Sequence, residues 1–213
     1  MTVEIGTVIV SYIEPSPGHA RAFNEWYERD HFPAAVLAGP GVFSGGRFVA
    51  TRACKEQRRP DATLLGDPAR GSYLALAWVV PGKQAEWDAW VAREMETIAA
   101  EGRLFPEREH VHTAVYEFAG ATGSIVTALA RGYAGVVVQA DEHDVKVLDS
   151  ECAIDLVLQR TIVSSANPPP HRLRVDFCAG DPLIVFEAQG LTAGFASAFL
   201  ATIPGTDAYT EEI

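Results

Sequence analysis

FNEWYERDHFPAAVLAGPGVFSGGRF, residues 23–48, opens with helical spacing and closes as a strand. Phe23, Trp26, Tyr27, Asp30 and His31 fall at i, i+3, i+4, i+7 and i+8, which is one face of a helix. Three aromatic rings on that face call for burial, and an acid and an imidazole complete it. Burying an ionised carboxylate costs several kcal/mol unless it is paired, so Asp30 requires a partner. His31 titrates near neutral pH and suits general acid/base work, with Asp30 or Tyr27 holding it. The plainer alternative is a histidine in the last turn that interacts with the helix dipole and caps free carbonyls, with Asp30 in water. Neighbouring residues lie about 100° apart around a helix, so spacing alone leaves both open.

Pro33 disfavours helical geometry at Phe32, so the helix is expected to end there, with AAVLA as a further turn before Gly39-Pro40-Gly41. VFSGGRFVA, residues 42–50, reads as a strand, and Gly45-Gly46 within it marks a bulge or a close backbone approach. Upstream, GTVIVSYIE (6–14) is a strand, and Ser16-Pro17 suits a helix N-cap and first position. Downstream, the polar stretch 52–70 reads as a long loop holding the basic run Lys55–Arg59. SYLALAWVV (72–80) is a strand, and Trp87, Trp90, Val91, Glu94, Met95 and Ile98 mark a helix closed by Gly102. HVHTAVYEF (110–118) is the last strand of the set.

The order β-α-β-β-α-β describes a split, ferredoxin-like unit with both helices on one face of a four-stranded sheet. Its other face is apolar and needs a cover. The remainder supplies candidates: strands at 133–140 and 181–189, a helix at 191–203 and a terminal strand in TDAYTEEI. Within 142–178 periodicity does not decide between a helix followed by a strand and one long strand. Two units follow, residues 1–120 and a degenerate second unit, 121–213.

The chain has 213 residues and a formal net charge of −11, which argues against nucleic acid or an anionic membrane as the main partner. Three scattered cysteines suggest neither a disulfide framework nor a zinc site. The first residues run directly into a strand pattern with no signal-peptide character, and no apolar run reaches membrane-spanning length. A cytoplasmic protein is expected.

Other motifs are weaker. His110 and His112 should share one strand face, but a mononuclear metal site needs a third protein ligand and none stands nearby, so no metal is expected. Tyr12, Tyr73, Trp78 and Tyr116 either pack in the core or line a cavity, and Ser11, Ser44 and Arg47 would mark a pocket if they face inward. GPGVFSGG lacks dinucleotide-loop spacing and precedes a strand rather than a helix.

With Trp26-Tyr27, His31, Pro33, the Gly39-Pro40-Gly41 turn and the strand carrying Arg47 in place, the chain resembles the EthD-like members of the dimeric α+β barrel superfamily. The motif covers about 30 residues, and the element order carries the likeness to residue 118. The second half lacks Trp-Tyr and His-x-Pro. The resemblance implies an α+β fold in which tandem ferredoxin-like units pack sheet against sheet as a barrel within one chain, with a homodimer of whole chains possible. It implies a small-molecule enzyme acting on an apolar, aromatic substrate by cofactor-independent acid/base chemistry: lyase, dehydratase, cyclase, decarboxylase or isomerase. The alternatives are a cofactor-independent monooxygenase of phenols and a non-catalytic ligand-binding or stress-related barrel. His31, Tyr27 and Asp30 would be catalytic, and Trp26, Arg47, Tyr12, Trp78 and His112 would bind substrate. No cofactor is expected.

Overall fold

The computed structural model describes residues 4–59, 62–125, 129, 132–140, 148, 150–164, 168–191 and 194–213. Eight antiparallel strands close a barrel: β1 (Thr7–Pro15), β2 (Val42–Val49), β3 (Tyr73–Val79), β4 (Arg108–Gly123), β5 (Gly135–Ala140), β6 (Cys152–Ser164), β7 (Arg172–Cys178) and β8 (Phe195–Ala201). Around the barrel they run β1-β3-β2-β8-β5-β7-β6-β4. Counted within its own half, each set of four follows the order fourth, first, third, second. The halves meet at two seams, β4 with β6 and β2 with β8. Among the described residues no helix is long and apolar enough to cross a membrane.

Strand alternation sorts the side chains into two layers. Tyr12, Trp78, Tyr116, Phe177, Phe195 and Phe199 point into the barrel and fill it. Ile9, Ile13, Ala75 and Ala77 point outward and are buried by α1 (Ala20–Trp26), the turn that continues it and α4 (Gln84–Ala100), through Phe23, Tyr27 and Trp87. The second half thus covers the first sheet's inner face, and the helices cover its outer face.

α1 does not stop at Phe32. It widens into two π-helical turns, Tyr27–His31 and Pro33–Leu37. Pro33 has no N–H to donate back into the preceding turn, so the ladder there cannot be regular. Ser16-Pro17 does not cap α1 either; His19 occupies the N-cap without a side-chain hydrogen bond. Gly45 lets the π segment rest directly on β2: a Cβ there would lie 2.8 Å from Leu37 Cδ2 and 2.9 Å from Phe32 Cζ.

The stretch 52–70 is not one loop. Thr51 caps α2 (Arg52–Gln57), and α3 (Ala62–Leu65) follows. Arg58, from the basic run, turns inward and is buried, donating to Ser197 Oγ at 2.9 Å and the Pro68 carbonyl at 2.7 Å. Carbonyl dipoles and its position near the rings of Phe195 and Phe199 compensate the buried cation.

Helix and strand are exchanged near the C-terminus relative to the sequence reading. Residues 181–189 form α5 (Pro182–Gln189), residues 195–201 are β8, and TDAYTEEI is turns rather than a strand. Asp181 accepts from Leu183 N, Pro182 stands in the first turn, and Gly190 takes φ +54° at the far end. These are helix-boundary signals flanking the apolar run Leu183–Phe186, which by itself also suits a strand. In β8 the large rings of Phe195 and Phe199 face the barrel, while Ala196 and Ala198 lie under α5. Residues 152–164 resolve as a single long strand. Residues 142–147, 149 and 165–167 of the ambiguous stretch lie outside the described residues.

Candidate functional site

Small side chains on the outer face make room. Ser11, Ala75, Ala77 and Thr113 leave a cavity of about 440 Å³ between the sheet and the helices. Phe32, Val36, Trp87 and Met95 form its helical wall. The far wall comes from the other half: β6 runs on until Ser164 pairs with His112, which brings Ile162 and Val163 to the cavity. Arg160 on the same strand forms an ion pair with Asp88 of α4.

His31 enters this cavity from the π turn. A π turn rotates less per residue than an α turn, so Tyr27 and His31 share the inner face at 5.1 Å between centroids. Trp26 stacks on the imidazole at 4.7 Å and 21°. Asp30 faces away. Its carboxylate is held by Arg103, with Oδ2 accepting from Nε at 3.0 Å, and this pairing keeps the carboxyl below the usual range. Trp26 Nε1 donates to the Arg103 carbonyl at 2.7 Å, so Asp30, Arg103 and Trp26 pin the π segment to the loop after α4. No hydrogen bond joins Asp30 to His31 among the described residues, and Nδ1 of His31 is buried without a partner. Burial pushes the imidazole pKa down to about 4; Arg108 and His110 lower it further, and Asp30 opposes them weakly. His31 is neutral at pH 7.

His110 and His112 do not share a face. A β-bulge sets Tyr12 opposite His112 and Ile13 opposite His110, which inserts Val111 as an extra residue and breaks the alternation. His110 therefore lines the cavity with His31, its Nδ1 3.1 Å from Thr113 Oγ1. Burial first and Arg108 second bring its pKa down to about 4. His112 lies inside the barrel, with Nε2 3.4 Å from the Tyr116 hydroxyl and its ring 6.2 Å from that of Tyr12. Tyr12, Trp78 and His112 are thus separated by the barrel wall from His31 and Tyr27.

Arg47 also lies outside the cavity of His31. Its Nη2 donates to Asn24 Oδ1 at 3.0 Å, Glu28 sits 3.8 Å from Nη1, and the Tyr27 ring covers it at 4.7 Å. With Ser44 and Trp78 it borders a separate cavity of about 390 Å³ beside β2. Two arginines line the first cavity: Arg160, paired with Asp88, and Arg108, whose Cζ stands 4.6 Å from the centre of Trp26. In sequence Arg108 stands between Glu107 and Glu109 with no local signal of its own, and the sheet register shows that it turns toward the cavity.

Tyr27 is buried, and loss of water pushes its phenol up to about 12, so it stays protonated. No group of three or more potential ligands stands together for a metal among the described residues.

The second half fills the equivalent place. On β7, which holds the position of β3, Arg174 and the fully buried Asp176 face outward where Ala75 and Ala77 lie in the first half. Asp176 accepts from Gln139 at 3.0 Å and Ser150 at 2.9 Å, and Arg174 reaches Asp155 at 3.0 Å. This network takes up space that small residues leave open on the other side.

The sequence matches no family model and no curated protein. The fold is similar to that of a solved structure described as an anthrone oxidase-like protein, with 11% identity, a TM-score of 0.51, and coverage of 96% of this chain and 95% of that one. The chain thus has an α+β fold built on a closed eight-stranded barrel, consistent with the dimeric α+β barrel type.

Proposed function

We propose that the chain is a tandem ferredoxin-like, EthD-like barrel and an enzyme that moves a proton on a small apolar, aromatic molecule without a cofactor. The observation that carries this reading is the pairing of His31 and His110, two imidazoles held neutral at the polar end of an apolar cavity. A neutral imidazole is ready to accept a proton at pH 7. His31 takes the proton from an acidic C–H or O–H and returns it to carbon or oxygen, and Tyr27 remains available as a donor. Asp30 acts by positioning, through Arg103 and Trp26.

An oxygenase reading shares the first step, because the anion left by proton removal is the species that reacts with O₂. The solved structure's description as anthrone oxidase-like is in keeping with that alternative, although at 11% identity the likeness concerns the fold alone.

Proton exchange tests the proposal without knowledge of the natural substrate. NMR in D₂O should show faster loss of the benzylic α-protons of 2-tetralone with protein than with buffer. His31→Gln should lower the protein-catalysed rate roughly 10²- to 10⁴-fold. Exchange no faster than buffer, or unaffected by that substitution, overturns the reading. An oxygen electrode on the same sample separates the oxygenase variant.

A further inference from the structure

We infer that Arg108 is an anion-receiving residue and that the cavity takes an apolar molecule bearing one acidic oxygen, a carboxylate or a phenolate. The inference rests on the cavity serving as the substrate site. Arg108 lines that cavity, and its Nε is buried with no hydrogen-bond partner. Among the described residues its hydrogen bond is from Nη1 to the Phe105 carbonyl. Its cation lies over the indole of Trp26.

Among the described residues no carboxylate pairs with Arg108. The other arginines near the site are committed: Arg103 to Asp30 and Glu101, Arg160 to Asp88, Arg47 to Asn24 and Glu28. A half-buried guanidinium without a counter-charge carries a desolvation cost that an anionic ligand would offset. Guanidinium matches a carboxylate bidentately, and it also donates a charge-assisted hydrogen bond to a single phenolate oxygen. The groups around it are Tyr27, His31, His110 and Thr113, which hold no negative charge at neutral pH and so do not repel an anion. Asp88 is the cavity's carboxylate, and Arg160 covers it. One end therefore receives an oxyanion, while Phe32, Val36, Trp87 and Met95 take the hydrocarbon.

Matched ligands test this by isothermal titration calorimetry at pH 7. 2-Naphthoate should bind roughly ten- to a hundredfold more tightly than 2-naphthamide, the margin of a charge-assisted hydrogen bond. Arg108→Gln should bring that ratio close to one, and Arg108→Lys should keep most of it. In a parallel arm, bound 4-nitrophenol should be more ionised than free 4-nitrophenol, read by phenolate absorbance, and the stronger arm identifies the oxygen class. Equal binding of naphthoate and naphthamide, together with no added ionisation of bound 4-nitrophenol, overturns the inference while leaving the proton-transfer reading intact. A preference that disappears in Arg160→Gln but survives in Arg108→Gln overturns it as well. Absence of binding by both naphthalenes and the phenol defeats both.

Discussion

His110 and His112 stand on one strand with a single residue between them, yet they face opposite sides of the barrel wall. The bulge at Val111 assigns them different work, so substitution should separate them. His112→Gln loses an interior contact with Tyr116 and should cost about 1–3 kcal/mol in urea denaturation. It should leave ligand affinity in the outer cavity unchanged. His110→Gln should do the reverse, with little change in stability and at least a roughly tenfold fall in proton exchange. Matching effects from the two variants would contradict the register.

The pH profile of exchange follows from a base that is already neutral. With a pKa of about 4, His31 holds no proton above pH 5 or so, and kcat/KM should be flat from there to neutrality. Activity should fall as pH drops through 4. Burial is the main cause of the depression and Arg108 the next, so Arg108→Gln should move this acid limb upward. A wild-type limb near 6.5 would mean that the imidazole is not buried as described.

Stability should depend on pH over a related window. His31, His110 and His112 each have pKa values lowered to about 4 in the fold. Between pH 6.5 and 4 the unfolded chain binds more protons at these sites than the folded one, so stability falls as pH falls through that range. On the order of 1–2 kcal/mol per imidazole should be lost between pH 7.5 and 5. Asp176 acts in the opposite sense, since burial raises its pKa. Urea midpoints at the two pH values measure the balance, and His112→Gln should flatten the slope.

Gly45→Ala tests the seat of the π segment. The added methyl would meet Leu37 and Phe32 side chains and the Leu76 carbonyl oxygen within 3 Å. Overpacking of this kind costs about 1–3 kcal/mol. Because Phe32 lines the cavity, naphthoate affinity should fall together with the melting temperature. Gly120→Ala, where no neighbouring atom lies within 4 Å, is the control.

The four strands and α4 of the first half were legible because their signals are redundant. In β3 an apolar run is bounded by turns, and in α4 the tryptophans repeat at helical spacing. The second half lost its order at two apolar stretches. For α5 the deciding residues were Asp181, Pro182 and Gly190 at its ends; for β8 it was the period-two alternation of Phe195, Ser197 and Phe199 with two alanines. Tyr27 and His31 were found together because their spacing puts them on one face in either helix type. His110 and Arg108 were not, because one extra residue in a strand reverses inside and outside, and no local pattern marks where such a residue falls.

The barrel's two seams are very unequal. β4 and β6 pair from His112–Ser164 to Gly123–Cys152, whereas β2 and β8 pair at Phe48–Ala201 and Val49–Leu200, with one more backbone bond from Thr202 N to the Arg47 carbonyl at 3.0 Å. A cylinder with one long join and one short join has a weaker line along its side. Amide hydrogens along β2 between Phe43 and Gly46 should exchange with solvent well before those of β4. Partial opening would then swing the halves apart about the β4–β6 join as a book opens on its spine, leaving the wall formed by Ile162 and Val163 in place while the opposite side breathes.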